Sequence, residues 1–229
     1  MARSAGALYL VNILAGGFAI GVVPAILVVT GDAAATANNI QSHELLYRSS
    51  LAAHVVVTLT NVPLALIFYT LFKVVNARVA LLNAFFILVA TAIEASSVIN
   101  QFATLLLLGG GPYTHGLSVE QTQALMYMPF GLSGIGYDVS DVFYAFDALT
   151  IGYLIFRSTF FPRVIGLFLA VDGVGYLLYS FADMLAPGFA AHLVPWVQLP
   201  ILIGEGSLCL WLLIVGLNAQ RWTQTANRP

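Results

Sequence analysis

Charge is what this chain has least of. Lys, Arg, Asp and Glu together make up 8% of its 229 residues, while 60% are hydrophobic. Soluble domains carry roughly 25% charged residues, so this composition belongs in a bilayer. Eight basic residues against ten acidic ones give a net charge of −2. No basic face exists to neutralise phosphates, which excludes a nucleic-acid partner. The one cysteine, Cys209, lies in an apolar run, so an intrachain disulfide is excluded. There is no N-x-S/T sequon, no C-terminal lipidation box and no zinc-type Cys/His spacing. His54 is the one histidine inside an apolar run, too few ligands for an intramembrane zinc hydrolase or a bis-histidine haem. No metal site is expected, and the sequence names no cofactor.

What the chain has in abundance is apolar length. Six stretches, about 5–30, 50–75, 79–108, 137–156, 163–185 and 194–217, are each long enough to cross hydrocarbon. The expected fold is all-α: a single transmembrane domain over 1–229, a polytopic membrane bundle of six helices with short interfacial helices in the outer loops. The first stretch is too long for a signal-peptide core and is read as a retained anchor. Gly17 and Gly21 form a GxxxG pair, a pattern that permits close helix contact. Pro63 lies inside the second span, and Gly109-Gly110-Gly111-Pro112 ends the third. Ser118 and Gln121 stand at capping-box spacing before a short segment to Met128. With six crossings, Arg3, Lys73, Arg78, Arg157, Arg163, Arg221 and Arg228 fall on one side and only Arg48 on the other. The positive-inside rule then puts both termini in the cytoplasm.

The fifth span carries Asp172, Tyr176, Tyr179 and Asp183 at intervals of four, three and four. At ~100° per residue these share one helix face. An isolated charge at the bilayer centre costs on the order of 2.5–3.5 kcal/mol, so such a face must meet protein or a wet cavity. Other spans repeat the pattern. His54, Thr58 and Asn61 share a face, as do Asn83, Glu94 and Gln101, and Gln198, Glu205 and Cys209. In the fourth span Tyr137, Asp141 and Tyr144 align, whereas Asp147 points ~120° away from Asp141. At ~1.5 Å rise per residue, Glu94, Asp147, Asp172 and Glu205 come out near mid-bilayer. His54, Gln101, Asp141, Asp183 and Gln198, with Arg48 above them, come out in the outer half. This describes an acidic, tyrosine-lined pocket facing outward. Asp138 reads as the start of the fourth helix, where an acid suits the dipole.

Seven carboxyls then face two cationic candidates, Arg48 and His54, and clustered acids in a low dielectric cannot all ionise. Three readings follow. Glu94, Asp172 or Glu205 couples proton binding to the binding or transport of a small hydrophobic or cationic molecule. Alternatively, a protonated carboxyl acts as general acid on a lipid or isoprenoid. In the third, the polar groups only hold helices together at ~0.6 kcal/mol per hydrogen bond, in an accessory subunit of a larger membrane complex. Asn83, Thr58 and Gln198 suit that last role, and His54 reads more readily as hydrogen-bonded or wet than as a ligand. A homodimer stays open.

Several strings resemble a known family in order and spacing: Gly31 to Ile40 (GDAAATANNI), Gly152 to Ser158 (GYLIFRS), Pro162 to Gly166 (PRVIG), Gly175-Tyr176, Ile203 to Glu205 (IGE) and Leu210 to Leu213 (LWLL). Across about residues 5 to 217 the chain is similar to the DUF4386 type of bacterial integral membrane proteins. The resemblance implies a bacterial inner-membrane location and carries no activity onto any residue.

Overall fold

A computed structural model describes residues Met1–Asn227 and contains only helices and connections. The order is α1 (Ala2–Leu27), α2 (Ala33–Ser42), α3 (Glu44–Leu108), α4 (Val119–Arg157), α5 (Arg163–Leu185), α6 (Pro187–Leu210) and α7 (Ala219–Ala226). Five segments are long and apolar enough to cross a membrane: α1, α3, α4, α5 and Trp196–Val215. Their outward residues, such as Leu59, Leu66, Ile99 and Trp196, are exposed. That is how a helix meets lipid.

Local chemistry explains the departures from the expected spans. Helix α3 is 65 residues long and is interrupted at Asn76, whose backbone is extended (φ −157°, ψ 105°). The Asn76 side chain accepts hydrogen bonds from the N–H groups of Arg78 and Val79, each at 3.1 Å. It caps the second arm as it breaks the first, so the break between the expected second and third spans is one residue wide. The fourth span was expected to start near 137, but α4 begins at Val119 and runs through Pro129. Only one backbone donor is lost at a proline, and the long segment absorbs it. The Ser118–Gln121 capping box is formed at its start: Ser118 N–H donates to Gln121 Oε1 (2.8 Å) and Gln121 N–H donates to Ser118 Oγ (3.3 Å). The start of a helix is therefore at 119, and Asp138 is not an N-terminal residue. Its dipole role is withdrawn.

In α1 a π-turn over Gly17–Val22 precedes Pro24, with Val23 N–H bonding to Phe18 O. A wider turn of this kind accommodates a proline without an N–H to give. The expected GxxxG contact is not made among the described residues, since a Cβ at Gly17 or Gly21 would meet none of their atoms within 4 Å. Helix α6 starts at Pro187, earlier than expected, and passes through a second π-turn, Trp211–Val215, to Gly216 (φ 79°), a conformation that ends the helix and suits glycine. Asn218 caps α7, beyond the last expected span, by accepting from Arg221 N–H. Arg228 lies outside the described residues.

The chain forms two compact units. Unit 1 contains Met1–Val11, Thr60–Thr91 and everything from Asp138 onward. Its core is Leu64, Phe72, Leu154, Ile155, Leu169 and Leu212 with their neighbours. Helices α4 and α5 touch there at glycine. A Cβ on Gly166 would lie 2.6 Å from Gly152 O, and one on Gly173 would lie 2.7 Å from Ala145 O. Unit 2 contains Asn12–Leu59 and Ala92–Tyr137. Val23, Leu27, Ile40, Tyr47, Leu51 and Met126 form its core. Asp32 caps α2 by accepting from Ala35 N–H at 2.8 Å.

Candidate functional site

In unit 2 the second and third expected spans contribute a buried pair. His54 Nε2 lies 2.8 Å from Glu94 Oε1, with side chains 2% and 6% exposed. His54 stands on a face with Tyr47 and Ser50, and Glu94 on a face with Ser97 and Gln101. Both sets have i, i+3, i+7 spacing, which puts them on one side of a helix. Beyond His54 stands Tyr137 of α4. Its hydroxyl is 3.5 Å from His54 Nδ1, and the two rings stack with centroids 5.8 Å apart. Gln101 Nε2 donates to the same hydroxyl at 3.0 Å, and Tyr47 O–H donates to Gln101 O at 3.0 Å. A polar chain thus runs from Tyr47 through Gln101 and Tyr137 to His54 and Glu94.

That chain borders a cavity of about 270 Å³. Its lining combines apolar residues, Ile20, Val23, Leu27 and Phe130 among others, with the polar side chains of Tyr47, Ser50, Gln101, Ser133 and Tyr137. No lining residue is an acid or a base with a full charge. Glycine shapes this region too. A Cβ on Gly136 would run into the Ser97 hydroxyl, and Ser133 Oγ donates to Ser97 O at 3.0 Å.

Unit 1 holds the remaining acids. Tyr176 O–H donates to Glu205 Oε1 at 3.1 Å. Asn83 donates to the Asp147 carboxyl at 2.5 Å and to Thr150 Oγ1 at 3.0 Å. Asn61 donates to Tyr144 O–H at 2.8 Å. Asp138 and Asp183 lie within electrostatic reach of each other, and Tyr179 within reach of both. Asp172 is fully buried, and neither carboxyl oxygen has a hydrogen-bond partner among the described residues.

Several expectations change. Arg48 does not serve the interior acids: it is 55% exposed and pairs with Glu44 at 2.6 Å, one helical turn away. Gln198 is exposed, and Thr58 bonds its own helix at Val55 O. His54, read as hydrogen-bonded, takes Glu94 as its partner. The nine candidates are divided between the two units. His54 and Glu94 belong to unit 2, whereas Asp141, Asp147, Asp172, Tyr176, Tyr179, Asp183 and Glu205 belong to unit 1. Tyr47 and Tyr137 were missed as site residues. The signal lay in the i, i+3, i+7 ladder 47, 50, 54, and in Ser133, Tyr137 and Ser140 at i, i+4, i+7.

No curated protein and no solved structure matches the chain. One family model does, over residues 4–216, and its description is a domain of unknown function, DUF4386. Nearly all of the polar ladders and both acidic groups fall within that span, and the chain belongs to the DUF4386 family.

Proposed function

We propose that this protein crosses a bacterial inner membrane six times, with both termini cytoplasmic, and binds or carries a small neutral amphiphile in the unit 2 cavity. Proton uptake at the His54–Glu94 pair accompanies binding. The crossing count rests on the break at Asn76, which leaves two arms each long enough to span, and the orientation rests on the distribution of basic residues. The ligand class follows from the walls: an apolar body against Ile20, Val23 and Leu27, and one carbonyl or hydroxyl toward Tyr137 and Gln101. A cationic ligand is disfavoured, because Glu94 is engaged by His54 and does not line the cavity.

One observation carries this reading: Tyr137 belongs both to the cavity wall and to the His54–Glu94 chain. Its oxygen accepts from Gln101, and its hydroxyl proton can go to His54 Nδ1 or to an acceptor on the ligand. When the ligand takes that proton, His54 keeps its contact with Tyr137 only by becoming a donor. An imidazolium does so, and its other N–H then faces the Glu94 carboxylate.

Native mass spectrometry from mild detergent tests the proposal. Wild type should retain a neutral, apolar small molecule, and Tyr137→Phe should lose it while keeping its melting temperature within a few degrees. Finding no such molecule on wild type, or equal retention by both proteins, would refute it.

A further inference from the structure

Asp172 stands apart from the other interior acids. Glu94 has His54, Glu205 has Tyr176 and Asp147 has Asn83 as hydrogen-bonding partners, and Asp138 has Asp183 within electrostatic reach. Asp172 is 0% exposed, and both of its carboxyl oxygens lack a hydrogen-bond partner among the described residues. Space has nonetheless been kept for this carboxyl. Gly204 of α6 faces it, and a Cβ there would lie 3.0 Å from Asp172 Cβ and 3.0 Å from Oδ2. Even alanine at 204 would press on the acid, so the glycine opens a slot at the point where the carboxyl sits.

The charged and titratable groups around it are all acidic or neutral. Glu205 of α6, Asp147 and Asp141 of α4, Tyr9 of α1 and Tyr176 of its own helix lie within electrostatic reach of it. Among the described residues no cation joins them. Among the described residues no three His, Cys, Asp or Glu side chains stand together as a metal site. A carboxylate in such a place would have neither a donor nor a counter-charge, and an apolar interior does not sustain that. The neutral acid satisfies both constraints.

We propose that Asp172 is a proton-binding site, held as the neutral carboxylic acid in unit 1 and separate from the His54–Glu94 pair. Its ligand is a proton, which leaves only when water or a cationic partner reaches the slot beside Gly204. This inference does not depend on the unit 2 cavity or on any ligand there.

An apolar carbodiimide reports on buried neutral carboxylic acids. The acid proton moves to a carbodiimide nitrogen as the carboxyl oxygen bonds the central carbon, and acyl migration to nitrogen gives a stable N-acylurea. Nothing leaves, so the chain gains the mass of one whole reagent. Wild-type protein in mild detergent is treated with N,N′-dicyclohexylcarbodiimide in mildly acidic and in alkaline buffer, and the adduct is mapped by fragmentation. One adduct per chain, on Asp172 and weaker in alkaline buffer, is the expected result, and Asp172→Asn should remove it. Mapping on wild type decides the matter even if that variant folds poorly. Absence of an adduct, or adducts confined to other carboxyls, would overturn the proposal. Protection by sodium chloride but not by choline chloride at equal ionic strength would overturn it in favour of a cation site.

Discussion

The His54–Glu94 pair makes a quantitative prediction about how unit 2 is held together. The two groups are 2.8 Å apart with side chains 2% and 6% exposed, so water solvates neither. Removing one partner from a buried pair leaves the other's charge unmatched, at a cost of about 3–5 kcal/mol. Replacing both with apolar residues of similar size is close to neutral in comparable cases. His54→Leu and Glu94→Met are therefore each expected to lose about 3 kcal/mol, and the double variant about 1–2 kcal/mol. Simple addition would give about 6 kcal/mol, leaving a shortfall of roughly 4 kcal/mol, well above the ~0.5 kcal/mol scatter of independent sites. Unfolding by sodium dodecyl sulfate in mixed micelles, followed by circular dichroism, measures all four proteins on one scale. If the double variant loses the sum of the two single losses, the pair is not an energetic unit. The account of proton uptake given above would then have no foundation.

Two further perturbations probe features that the helices need in order to form and pack. Gly166→Ala places a methyl 2.6 Å from Gly152 O and 2.9 Å from Phe156 N, both backbone atoms that cannot step aside alone. It should destabilise unit 1 by about 1–3 kcal/mol in the same unfolding assay, the usual cost of overpacking, and an unchanged transition would contradict the α4–α5 contact. Asn76→Ala removes the acceptor for the Arg78 and Val79 N–H groups and should cost about 0.5–2 kcal/mol as a lost cap. Asn76→Asp, which keeps a carboxyl oxygen for those N–H groups, should recover most of the loss; equal losses for both variants would argue against capping.

Placement in a membrane, the all-helical class and the turn at Asn76 follow from one-dimensional patterns: apolar length, scarcity of charge and local side-chain chemistry. So did the grouping of Asp172, Tyr176, Tyr179 and Asp183 on one face, because helical periodicity is a property of the helix itself. The capping box at Ser118 was equally legible. The long α4 was not: the segment to Met128 and the span from about 137 were read as separate, and whether a helix continues through Pro129 between them depends on what the neighbouring chain supplies. Pairing was beyond reach for the same reason. Periodicity says which way a side chain points on its own helix, and nothing about which residue of another helix stands opposite. Arg48 and His54 looked like equal candidates for the acids, and only their surroundings separated them: Arg48 at the surface beside Glu44, His54 buried against Glu94. The sequence alone determined that many acids would lie inside this protein. The tertiary structure decided that Glu94, Glu205 and Asp147 meet hydrogen-bonding partners while the Asp172 carboxyl meets none among the described residues, because only packing sets the distance between groups on different helices.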